Sequence, residues 1–96
     1  MLVWVVYDIS SNKTRNKAVK FCKNKGLYRI QKSVFLGVLN QHDKTELRAM
    51  MEDLISDSKD SVYIFPSQKS FLEDTDLIGR GFDKELIKGE IITRFI

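Results

Sequence analysis

The chain is poor in residues that staple, kink or carry proton-transfer chemistry. Its 96 residues include one cysteine, one proline and one histidine. A lone cysteine, Cys22, excludes an internal disulfide and fits a reducing compartment. A lone histidine, His42, leaves no serine–histidine or cysteine–histidine pair within sequence reach. It falls in the connection ahead of a helix, where a solvated side chain and a proton-transfer group are both open readings. No P-loop, CxxC, HExxH or dinucleotide fingerprint is present. The apolar run at the N-terminus is too short to span a membrane, and it lacks the basic lead-in and cleavage site of a signal peptide. A cytoplasmic protein with no membrane partner is the expectation. Without repeats, low-complexity tracts or a long linker, residues 1–96 are expected to form a single domain.

Acid is also scarce where it would be most noticed. Residues 1–32 carry eight basic side chains (Lys13, Arg15, Lys17, Lys20, Lys23, Lys25, Arg29, Lys32) and one acid, Asp8. The rest of the chain carries eight basic and twelve acidic groups. A net charge of +3 therefore hides a cationic third and an acidic remainder. A surface of that kind suits a polyanion such as nucleic acid.

The elements follow from periodicity and turn chemistry. Residues 2–8, rich in valine with Trp4 and Tyr7, predict a strand. "SSNKT" (10–14) supplies turn and N-cap groups for a helix over 13–25, with Ala18, Val19 and Cys22 on its apolar stripe and Gly26 closing it. Residues 27–40 predict a second strand region, with Val34, Leu36 and Val38 on one side and Gln31, Ser33, Phe35 and Gly37 on the other. A second helix over 43–56 has Asp43 and Glu46 as a capping box and Leu47, Met50, Met51, Leu54 and Ile55 as its buried face. "DSVYIFP" (60–66) predicts a third strand. A short strand near 74–79, a glycine turn at 79–81 and a final strand over 90–96 complete the chain. The class is α+β, a ferredoxin-like βαββαβ arrangement with an additional C-terminal strand and both helices on one face.

The first strand is apolar on both sides: Val3, Val5 and Tyr7 against Leu2, Trp4 and Val6. The 60–66 strand repeats this, with Val62 and Ile64 against Tyr63 and Phe65. Two helices cover only one face, so a sheet-to-sheet homodimer is expected to cover the other. Asp8 lies on the Trp4/Val6 side. Near a two-fold axis, two copies of Asp8 would repel unless a cation sat between them. Mg²⁺ suits such a pair, because it takes one or two carboxylates and keeps several waters. The alternative is that Asp8 caps the turn that follows. Arg15, on the inner stripe of the first helix, would pair with Asp8 or grip a phosphate. Lys13, Lys17 and Lys20 lie on the outer face. Phe35 reads as interface packing or a base-stacking platform, and Ser33 as a strand polar residue without a base to activate it.

Three blocks, "VVYDIS" (5–10), "TRNKAVKFCKNKGLYRIQKSVFLGVL" (14–39) and "DSVYIFP" (60–66), together resemble the CRISPR-associated protein two family over roughly residues 1–66. The chain departs from the family after Pro66. The resemblance implies a homodimer of ferredoxin-like protomers and a metal-dependent endonuclease acting on RNA or double-stranded DNA. It also implies a subunit that bridges the CRISPR integrase during spacer acquisition. It places the catalytic, metal-binding aspartate on Asp8, with one Mg²⁺ shared between two protomers. Substrate-binding positions fall on Tyr7, Arg15, Arg29, Ser33 and Phe35. Lys17 stands where some relatives carry a second arginine, which keeps the charge and loses the bidentate fork. Two other readings stay open: a non-catalytic DNA-binding scaffold of the integrase complex, and a virulence-associated toxin-type ribonuclease.

Overall fold

A computed structural model describes residues 1–68 together with 70, 74, 76, 78 and 79. The elements are β1 (Leu2–Asp8), α1 (Asn12–Asn24), β2 (Tyr28–Gln31), β3 (Val34–Val38), α2 (Gln41–Leu54) and β4 (Ser61–Ser67). This is the expected α+β, ferredoxin-like βαββαβ order, complete by Ser67. The strand expected at 74–79 is not seen at its described residues: Asp74 is helical, its N–H donating to Ser70 O at 3.0 Å, and residues 76, 78 and 79 are not in a strand. The rest of the turn at 79–81 and the strand at 90–96 lie outside the described residues.

The second strand region differs from expectation. Residues 27–40 form two strands, because the chain reverses at Lys32 and Ser33. Short hairpins usually announce themselves with Asn-Gly or Gly-X, whose central residues take positive φ. No non-glycine residue among the described residues has positive φ, so this turn needs no such signature. A register shift between Arg29 and Gln31 accompanies the reversal. The 60–66 strand is therefore the fourth in chain order.

The four strands form one antiparallel sheet in the order β2-β3-β1-β4. Pairings such as Trp4 with Leu36 and Phe65, or Val5 with Phe35 and Ile64, put each set on a common face. On the helix face, Val3, Val5, Tyr7 and Phe35 pack with Ala18, Cys22, Leu47 and Met51. On the other face, Leu2 and Leu36 pack with Trp4, Tyr28, Ile30 and Val38. The doubly apolar first strand thus has a core on each side, as its sequence required.

The helices begin and end on identifiable groups. The Ser11 hydroxyl caps α1 by accepting from Thr14 N at 3.4 Å. Gly26 leaves the helix in the left-handed region, φ 79°, while its N–H reaches Lys23 O and Leu27 N reaches Cys22 O, the usual glycine stop. The start of α2 is earlier than the expected capping box. Asn40 is its cap and accepts from Asp43 N at 2.7 Å. Asp43 and Glu46 instead receive the Lys25 ammonium at 3.3 and 2.6 Å, tying the end of α1 to the start of α2. That bond holds the Glu46 carboxyl below the usual carboxylate range.

Candidate functional site

At the C-terminal end of β1 lies an open depression of about 440 Å³ between α1 and the β2–β3 turn. Tyr7, Asp8, Arg15, Arg29 and Ser33 all line it. Five of the seven residues singled out in sequence therefore meet in one place, although they come from β1, α1, β2 and the turn. Lys17 is exposed and does not line the depression.

Asp8 ends β1 opposite Ser61 and is exposed. Its carboxylate makes no hydrogen bond or ion pair among the described residues. The turn-capping alternative does not hold, because other groups do that work. Ser11 caps α1, and Asp60 accepts from Ser10 N at 3.0 Å and Ser10 Oγ at 3.1 Å. Arg15 is not paired with Asp8 either. Its Nη1 donates to Ile9 O at 2.7 Å and to Ser10 O at 3.2 Å, and its Nη2 donates to the Asn12 side-chain oxygen. Arg15 thus braces the loop that follows Asp8 and leaves the carboxylate uncommitted.

On the opposite wall, Arg29 donates to Lys32 O from Nε at 3.3 Å and from Nη2 at 2.9 Å. Tyr7 donates its hydroxyl to the same oxygen at 3.0 Å. Burial is the main cause that pushes the Tyr7 phenol above its ordinary 10.0, and the buried Cys22 adds to it. Ser33 offers its carbonyl to Tyr7 N at 3.1 Å.

Phe35 corrects its expectation. It is 0% exposed beneath the helices, its ring 6.3 Å from that of Tyr7, with the Arg29 guanidinium 5.9 Å above it. It therefore neither packs on the helix-free face nor presents a platform to a base. Alternation along a strand shows which residues share a face but not which face meets the helices.

Three polar lining residues, Asn12, Asn16 and Lys32, carry no site role in the sequence reading. Asn12 and Asn16 stand one turn apart on α1, beside Arg15 and Val19, a spacing that the helical period could have revealed. Lys32 joins the wall only because the chain turns there. His42, at 3.5 Å from Glu46 in the first turn of α2, does not line the depression. Cys22 is fully buried, and burial pushes its thiol up to about 12.

Among the described residues, no three His, Cys, Asp or Glu side chains come together as a metal cage. The carboxylate donors at the depression thus come to one exposed side chain, Asp8. Alone it fits Mg²⁺ only as part of a site, completed by waters and by further donors.

A family model described as "CRISPR associated protein Cas2" matches residues 1–74. The chain is 38% identical over 66 residues to the CRISPR-associated endoribonuclease Cas2 1 of Archaeoglobus fulgidus, covering 69% of this chain and 70% of that one. It is 33% identical over 79 residues to the CRISPR-associated endoribonuclease Cas2 of Korarchaeum cryptofilum, covering 82% and 85%. Among solved structures, Streptococcus pyogenes Cas2 at pH 6.5 superposes with a TM-score of 0.75 over 82% of this chain and 100% of that one. At 23% identity it speaks for the fold.

Proposed function

We propose, because this chain belongs to the CRISPR-associated Cas2 family, that it is a metal-dependent endonuclease subunit which also serves spacer acquisition. The observation that carries the reading is Asp8: exposed, uncommitted, and at the rim of a depression walled by Arg15, Arg29 and Lys32. Relatives named endoribonuclease support RNA as substrate, and one named endonuclease leaves double-stranded DNA beside it.

The residues divide the work. Asp8 from each of two protomers would hold one shared Mg²⁺, which supplies an activated water and charge stabilisation at the phosphodiester. Arg29 and Lys32 grip phosphate from the turn. Arg15 keeps the Asp8 loop in place, and the Asn12 and Asn16 amides are placed to meet sugar or base edges. Tyr63 and Phe65, 62% and 43% exposed, lie on the helix-free face with Trp4 and Val6. They supply apolar surface for the homodimer. The dimer would in turn bridge the CRISPR integrase. No helix among the described residues is long and apolar enough to cross a membrane, in keeping with work in the cytoplasm.

A second reading has its own support. Between Asp8 and Asp43 the chain carries no acid, so α1 and the hairpin form a cationic surface suited to a non-catalytic DNA scaffold. The two readings separate in one assay. Wild type and Asp8→Ala are incubated with single-stranded RNA and with duplex DNA, with Mg²⁺ and with chelator, and binding is followed in parallel. Loss of metal-dependent cleavage with binding retained supports the nuclease. Binding without cleavage by either protein leaves the scaffold.

A further inference from the structure

Tyr7 lines the depression, but its hydroxyl is committed to a backbone acceptor. The phenol donates to Lys32 O, and the residue is 3% exposed. The same carbonyl oxygen receives Nε and Nη2 of Arg29, so two side chains from two strands share one acceptor. Tyr7 N also holds the neighbouring Ser33 O. The chain of contacts closes on itself, because Arg29 lies over Phe35 and Phe35 stacks on Tyr7.

We propose that Tyr7 is a positioning residue: its hydroxyl fixes the Lys32 carbonyl and, through it, aims the Arg29 guanidinium at the depression. Arg29 needs such an anchor. It is exposed on the edge strand β2, beside the register shift, where a long side chain would otherwise sample many rotamers. Bound through Nε and one edge of the guanidinium, it keeps its remaining N–H groups for a phosphate oxygen. Two bonds from one residue of β1, Tyr7 N to Ser33 O and Tyr7 hydroxyl to Lys32 O, hold the turn.

The consequence for affinity rests on the nucleic-acid reading above; the geometry does not. The test therefore uses two readouts on wild type, Tyr7→Phe, Arg29→Ala and the double variant. Tyr7→Phe keeps the ring in the core and removes only the hydroxyl. The first readout is binding of a single-stranded RNA oligonucleotide and a DNA duplex in chelator. Tyr7→Phe should weaken binding about three- to tenfold, the size of one hydrogen bond, and the double variant should bind no worse than Arg29→Ala alone. The second is solvent exchange of the Arg29 Nε proton by NMR, expected to be slow in wild type and several-fold faster in Tyr7→Phe. Unchanged exchange overturns the proposal, as does a double variant whose loss is the product of the two single losses. A Tyr7→Phe protein that melts lower while exchange and coupling stay put assigns Tyr7 to the core alone, which also overturns it. If wild type binds neither nucleic acid, the functional reading fails while the exchange measurement still decides the role of Tyr7.

Discussion

Asp60 clasps Ser10 across fifty residues of chain, its Oδ1 accepting from both the amide and the hydroxyl. Its Oδ2 accepts from Ser56 N at 3.1 Å. One carboxylate thereby joins the approach to β4 with the loop after Asp8. The Ser10 and Ser56 amides hold its carboxyl below the ordinary 3.8. A depressed pKa in the folded state contributes stability that is present above the unfolded value and lost as pH falls through the folded one. Asp60→Ala should therefore lower Tm by a few degrees at neutral pH. The gap from wild type should hold down to about pH 5 and close below about pH 4. Calorimetry over that range checks both the size and the direction.

Gly37 is set by space. A Cβ there would stand 2.7 Å from Leu27 Cδ2 and 3.2 Å from Leu27 Cα. The Leu27 Cδ2 is the end of a flexible side chain, but its Cα is backbone and cannot give way as easily. Gly37→Ala should cost about 1–3 kcal/mol, as overpacking does. A urea melt of the variant would show a lower midpoint at an unchanged slope.

Cys22 should be silent in the folded protein. Its thiol is fully buried and pushed up to about 12, so a thiol reagent at pH 8 meets neither an accessible sulfur nor a thiolate. Labelling should be complete in denaturant and negligible in buffer. Cys22→Ser would place a hydroxyl in an apolar site and cost about 1–3 kcal/mol, readable as a lowered Tm.

Lys17 lies on the outer side of α1 and outside the depression. Lys17→Ala should weaken nucleic-acid binding by a similar factor for every sequence tested. The slope of log K against log salt should fall in magnitude by about 0.7 for a single strand or about 0.9 for a duplex. A salt titration of the variant beside wild type measures this, and an unchanged slope would remove Lys17 from the phosphate path.

Much of this was legible in the sequence, and the misses have physical causes. Strand one declared two buried faces, and both cores exist. Asp8, Arg15, Arg29, Ser33 and Tyr7 are the residues to which the sequence points, and the fold brings them together. Phe35 went to the wrong face because β3 is apolar on both sides, so alternation alone cannot say which side the helices cover. Lys32 was passed over because a Lys-Ser reversal lacks glycine or asparagine and hides inside a strand-like run. The α2 cap was placed three residues late because Asp43 and Glu46 have capping-box spacing, yet their carboxylates serve Lys25.

The place of β1 between β3 and β4 also sets an order of events during synthesis. Its pairing with β3 closes a loop of some thirty residues, whereas Asp8 meets Ser61 only after the chain has grown past α2. Until then β1 offers an open apolar edge to any neighbouring strand, and Ser10 has no clasp. Zipping of β4 onto β1 therefore removes a template for aggregation and seats the Asp8 loop in one late step. A nascent chain has no partner for the Asp8 end of β1 on the β4 side before its sheet is closed.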